Sequence, residues 1–192
     1  MDKSGITIEI LQDGNIEICR DLCNELMAFQ KSKATMAPEK FDAMNFDTRM
    51  KRSYELAKEK QVIVAKADGV PIGYAFSTID VIERGKLTIP EWAPNRDQPG
   101  VLGFYPDWEH LPERVGCLSN LYIRDGYRHL GLGSKLFRMS MEWMASFPDV
   151  ECVFIYVSNG NREALDFYLK HGFLYSHDVF GGFIQAVCKF IK

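Results

Sequence analysis

No apolar stretch in the chain approaches the roughly 18 residues that a membrane-spanning helix needs, so no membrane partner is expected. The opening segment "MDKSGITIEI" has no apolar core of the kind that marks a secretory signal, which points to a cytoplasmic location. Lysine and arginine never gather into a stripe and the net charge is -3, so a nucleic acid is not an expected partner. Cysteine is sparse, odd in number and scattered: Cys19, Cys23, Cys117, Cys152 and Cys188 make no disulfide framework. Cys117, Cys152 and Cys188 sit in apolar runs, where a free thiol behaves as a small hydrophobe. Cys19 and Cys23 share a helical face, but no histidine or cysteine nearby completes a metal site. Internal repeats and low-complexity tracts are absent too.

What is present is a chain of 192 residues, 46% hydrophobic and 26% charged, enough to fold around one sizeable core. Residues 6–11 alternate apolar and polar and read as a strand. Asp13–Gly14–Asn15 turns the chain into a helix over residues 16–31, where Ile18, Leu22, Leu26 and Phe29 recur at helical spacing. A second helix is expected over residues 47–60, with Met50, Tyr54 and Ala57 on one face. Residues 62–65 and 72–79 form a hairpin about Asp68–Gly69. A strand over 117–123, a helix over 132–147, a doubly buried strand over 152–157 and a short helix over 161–172 follow. Two strands around Gly181–Gly182 close the chain. Strands mixed with crossover helices imply a mixed α/β sheet in one domain over residues 1–192.

Residues 80–116 form a long insertion without clean periodicity, between the third and fourth strands. They hold five of the eight prolines and the aromatics Trp92, Phe104, Tyr105 and Trp108. Connections this long in a compact domain serve as lids or binding loops or are disordered, and the aromatics argue against disorder. A packed wall of an acceptor site and a purely structural cover both fit.

The stretch "YRHLGLGSKL" (residues 127–136) offers a glycine-rich turn before a helix, a common way of presenting backbone N–H groups to phosphate. Gly126 and Gly131 have P-loop spacing, but Leu132 stands where the phosphate-reaching lysine belongs. Gly131 and Gly133 begin a dinucleotide fingerprint, but Leu136 occupies the third glycine's place. The pattern R-x-x-G-x-G is met by Arg128, Gly131 and Gly133. Glycines at 131 and 133 let a diphosphate approach the backbone, the helix dipole favours it, and Arg128 and Arg124 can add cationic charge.

This pattern resembles the acetyl-coenzyme A loop of the GNAT superfamily of N-acetyltransferases. Downstream, "NREALDFYLKHGF" resembles a second family motif through Asn161, Ala164, Phe167, Tyr168, Gly172 and Phe173. The order of elements is also similar, so the resemblance covers the chain apart from residues 80–116. It implies the GNAT (acyl-CoA N-acyltransferase) fold, a mixed central sheet of about seven strands with about four helices. It implies an acetyltransferase that takes acetyl-CoA as co-substrate and a primary amine, on a small molecule, peptide or protein, as acceptor. Cofactor contacts are implied at Leu121, Tyr122, Ile123, Arg128, His129, Leu130, Gly131, Leu132, Gly133, Ser134, Asn161 and Tyr168. The pantetheine arm is implied to run between the fourth and fifth strands, with a backbone N–H polarising the thioester carbonyl. Tyr168 resembles the family's general acid; a phenol can protonate a leaving thiolate.

The strand "GCLSNLYI" carries no Asp, Glu or His to act as base. Ser119 or Asn120 could hold a water, the insertion offers Glu83, Asp107, Glu109 and His110, or the amine could lose its proton to bulk water. His129 reads as a rim residue, His171 as a cation suited to a helix C-terminus, and His177 as a surface residue. The assembly expectation leaves room for a homodimer. The lack of a base keeps a second reading open, a non-catalytic acyl-CoA binding or sensing module.

Overall fold

In the computed structural model, residues 5–12, 14–82, 89, 91–106 and 108–192 are described. The expected turn residue Asp13 and the candidate bases Glu83 and Asp107 lie outside them. Strands β1 (Ile6–Ile10), β2 (Glu59–Ala67), β3 (Val70–Val81), β4 (Arg114–Ile123), β5 (Cys152–Ser158), β6 (Leu174–Val179) and β7 (Ile184–Phe190) form one sheet. Its order is β1-β2-β3-β4-β5-β7-β6. Helices α1 (Arg20–Lys33), α2 (Arg52–Leu56), α3 (Leu132–Ala145) and α4 (Arg162–Lys170) flank it, with short turns of tighter or wider helix. This is the mixed α/β architecture expected. Only β4 and β5 run parallel; the remaining neighbours are antiparallel.

Alternation along the strands sorts side chains onto two faces. On one face Ile63, Ala75, Leu118 and Ile155 pack against Leu136 and Met144 of α3 and Tyr168 of α4. On the other, Val62, Val64, Tyr74 and Phe76 pack against Leu22, Cys23 and Leu26 of α1 and against Met50. All five thiols are free and buried, as their apolar surroundings in the sequence suggested.

The expected helix over residues 47–60 is shorter in the structure. It begins as a wide, π-type turn over Asp47–Lys51 and ends at Leu56. Glu59, Lys60 and Gln61 already pair with Ile79, Thr78 and Ser77 of β3. Sheet pairing overrides the local helix preference of "ELAKEK", a weak prior. The same pairing extends β4 back to Arg114, so the irregular connection shrinks to residues 82–113.

The described stretches of that connection, residues 91–106 and 108–113, form a packed cover. Trp92 meets Phe180 edge-on at 5.4 Å, Phe104 meets Tyr156 at 5.1 Å, and Tyr105 meets Phe154 at 5.6 Å. Trp108 stacks on Phe190 at 6.2 Å. His177, expected at the surface, is buried, 7% exposed. Its Nε2–H donates to the carbonyl of Gly103 at 3.0 Å, and Nδ1 faces Ser176 Oγ at 3.0 Å. A lone histidine in a polar-looking strand gave no sign of the loop that folds over it.

Candidate active site

The site follows from a fault in the sheet. β4 and β5 pair only through Gly116–Val153, Cys117–Phe154 and Leu118–Ile155. Beyond that point they splay, and the β4 backbone groups of residues 119–123 that point toward β5 find no strand partner. At the same level β4 bulges. Phe76 pairs with Asn120 and Ser77 with Leu118, leaving Ser119 as the extra residue. A bulge re-aims side chains, and here Cys117, Ser119 and Asn120 all line one cavity.

A groove leads into the splay from the α3 end. Leu121, Tyr122, Ile123, Arg128, Gly133, Asn161 and Tyr168 line it, with Leu26 and Phe29 of α1 opposite. At its inner end Leu118, Ser119, Asn120, Tyr156, Ser158 and Tyr168 enclose the gap between the strands. Asn120, Ser119, Tyr156 and Ser158 also line a cavity of about 290 Å³ on the α1 side of the sheet. These three spaces share lining residues in series, which outlines a passage from the start of α3, between the strands, into that cavity.

At the outer end Gly131 sits at φ 79°, in the left-handed region that glycine reaches without strain, and starts α3. The first helical bond is Lys135 N–H to the Gly131 carbonyl, so the N–H groups of Leu132, Gly133 and Ser134 stay free of intrahelical partners. A Cβ added to Gly133 would meet nothing closer than Ile123 Cγ1, 3.9 Å away. Protein packing does not demand glycine there. A bare backbone facing an open groove is what a close-approaching anionic ligand needs.

Of the expected contacts, the groove gathers Leu121, Tyr122, Ile123, Arg128, Gly133, Asn161 and Tyr168. His129 and Ser134 are exposed beside it, Leu130 packs against the core and Leu132 is buried, and none of the four lines the groove. Arg128 is braced rather than free. Its Nε donates to the Ile123 carbonyl at 3.1 Å, and its guanidinium lies 4.7 Å from the Phe29 ring centroid. Arg124 does not serve the loop. It pairs with Glu25 at 2.7 Å and donates to the Pro71 carbonyl at 2.9 Å, which ties α1 to the hairpin. Asn161 caps α4, its side chain accepting the Ala164 N–H at 3.3 Å, while it also lines the groove.

Tyr168 stands where groove and strand gap meet. Burial pushes its phenol well above the ordinary tyrosine range, so it keeps its proton at neutral pH. Glu109 and His110 point into solvent, with side chains 90% and 88% exposed, and neither lines the cavity. Among the described residues, the acid that does line it is Asp80, the last polar residue of β3. Thr78 Oγ1 donates to one carboxylate oxygen at 2.8 Å and Tyr105 O–H to the other at 2.8 Å. Sequence reading placed Asp80 at the edge of an irregular segment. A polar residue closing an apolar strand was the signal available, and only the sheet shows which face it takes. Arg49, Tyr156 and Gln30 also line the cavity and carried no sequence signal.

Comparison with known proteins places this geometry. Residues 24–173 match the model of the acetyltransferase (GNAT) family. The chain is 28% identical over 138 residues to an N-alpha-acetyltransferase of Sulfurisphaera tokodaii, covering 71% of this chain and 66% of that relative, just under two thirds of its length. Its fold is similar to that of the PaiA N-acetyltransferase of Thermoplasma acidophilum in complex with coenzyme A. There the TM-score is 0.63 at 17% identity over 96% of this chain and 99% of that one. It is also similar to Arabidopsis thaliana Naa50 in complex with the bisubstrate analogue CoA-Ac-MVNAL, with a TM-score of 0.57 at 14% identity over 96% and 98% of the two chains.

Proposed function

The chain belongs to the acetyltransferase (GNAT) family, and on that premise we propose that it transfers acetyl from acetyl-coenzyme A to a primary amine held in the 290 Å³ cavity. The observation that carries this is the passage itself. A helix start with free N–H groups, a groove leading to splayed strands, and an acid-bearing cavity lie in series. The free N–H groups at the start of α3 take the diphosphate. The unpaired backbone of residues 119–123 takes the arm as an added strand would, and one of its N–H groups polarises the thioester carbonyl.

Asp80 takes the proton from the acceptor ammonium, directly or through water held at Ser119 or Asn120. The neutral amine attacks the thioester carbon; a C–N bond forms, the nitrogen sheds its extra proton to water, and the C–S bond breaks. The phenol of Tyr168 gives its proton to the leaving thiolate and regains one from solvent. Burial keeps the phenol protonated, so the proton is in place when thiolate charge develops; the same burial makes it a weaker acid, so the donation runs uphill.

A binding module without turnover draws its support from the lack of an acid on β4. Asp80 supplies one from the neighbouring strand, in a cavity that mere donor binding does not require. Thiol release measured over a panel of primary amines tests the proposal. Amine-dependent release is expected, and Tyr168→Phe should lower kcat by about 100-fold with acetyl-CoA affinity nearly unchanged. Acetyl-CoA binding without thiol release on any amine would favour the binding module.

A further inference from the structure

Among the described residues, the cavity contains a cation with no carboxylate partner. Arg49 sits in the wide turn at Asp47–Lys51 and its side chain lines the cavity. Among the described residues no carboxylate stands within 4.0 Å of its guanidinium, and its buried Nε has no hydrogen-bond partner. The arginines of similar burial are all engaged: Arg114 with Glu59, Arg124 with Glu25, Arg128 with Asp125. Arg49 is half-buried, and a guanidinium with a buried, unsatisfied Nε is costly and stays charged. The titratable groups that face it are Cys23, Tyr74 and Cys117, each kept protonated by burial, so none offers an anion.

Two further observations narrow the ligand. Among the described residues, Arg49 and Asp80 are the charged groups that line the cavity, and they do not pair with each other. Opposite charges held apart match a molecule that is itself a zwitterion. The volume, about 290 Å³, lies at the low end for ligand sites, which run from roughly 300 to 1,000 Å³. The rest of the lining is mixed, with Phe41, Met44 and Phe104 beside Ser53, Ser119, Asn120 and Ser158, so a small molecule with both apolar and polar surface fits.

We propose that the acceptor is a small amino acid, its carboxylate gripped by the Arg49 guanidinium and its amine presented to Asp80. The planar fork of arginine matches a carboxylate bidentately. This assignment rests on the acetyl-transfer reading, and it names what that reading leaves open.

The test uses the full chain and amino acids of increasing amine-to-carboxylate spacing, from glycine to aminohexanoate, each beside its carboxamide. Wild type should use the best acid with kcat/KM about 10- to 100-fold above its amide, the scale of a charge-assisted pair. Arg49→Gln should collapse that ratio toward unity through KM for the acid, and Arg49→Lys should retain part of it. Arg49→Met guards against a folding artefact, since removing an unpaired buried charge should leave the melting temperature equal or higher. Calorimetry on protein saturated with coenzyme A reads acid binding without turnover. Acid and amide used equally by wild type, an acid preference that survives Arg49→Gln, or no carboxylate binding at all would overturn the proposal. Carboxylate binding lost in Arg49→Gln, with no turnover on any amine, would sink acetyl transfer and leave the Arg49 assignment standing.

Discussion

In the proposed mechanism Asp80 and Tyr168 divide the chemistry between two faces of one opening in the sheet. Tyr168 comes from α4 and reaches the strand gap, while Asp80 comes from β3 and reaches the cavity beyond it. Their effects on kinetics should therefore separate. Asp80→Asn keeps size and removes the charge. It should lower kcat/KM for the amine by about 10- to 100-fold near neutral pH. Acetyl-CoA affinity should not move, because Asp80 lies outside the groove. The variant should recover as pH rises and bulk water deprotonates the amine. A variant pH–rate profile parallel to wild type would remove Asp80 as the base. Tyr168 was legible in the sequence because it sits at a fixed place in a long, specific motif. Asp80 was not, because a carboxylate at a strand end is ordinarily solvated.

At the level of elements, the turn into α3 explains why two glycines stand one residue apart. Gly131 is required by its own backbone, at φ 79°. Gly133 is not, since a Cβ there would have open space. Gly133→Val should thus cost the fold little, within about 1 kcal/mol of helix propensity, yet raise KM for acetyl-CoA at least about 10-fold by filling the groove mouth. Measuring melting temperature and KM on the same preparation separates the two effects. Unchanged KM would mean that the groove beside α3 does not carry the donor. The bulge at Ser119 and the parting of β4 from β5 are likewise element-scale features. Neither is written in local propensity. The run "GCLSNLYI" reads as one regular strand, and it is pairing to two different neighbours that breaks it.

Across the whole molecule, the long connection is tied to the far edge of the sheet. His177 on β6 holds the Gly103 carbonyl, and Leu102 bridges to Val179. Burial lowers the His177 pKa, against smaller opposing effects of the Gly103 carbonyl and Asp178. A folded-state pKa below the unfolded value, about 6.5, means that the unfolded chain binds the proton first. His177 therefore contributes stability that is complete above about pH 6.5 and declines as pH falls toward its folded pKa. Urea midpoints at pH 7.5 and 5.5 should fall more steeply for wild type than for His177→Gln. Equal slopes would show that the tie does not titrate.

Long-range ties of this kind mark the boundary between chain and fold. The sequence by itself determined the order of strands and helices, because hydrophobic periods of two and of three to four residues are local quantities. It also marked the candidate donor site, because the Arg128–Gly133 turn and the Asn161–Phe173 motif each build their part of the groove within a few consecutive residues. Only the tertiary structure decided the acceptor side. Arg49, Asp80, Tyr105 and Tyr156 come from four separate parts of the chain, and none has a neighbour in sequence that announces it. Their meaning arises from burial and from which charges go unpaired, and those properties exist only once the sheet, α1 and the aromatic cover have closed around them.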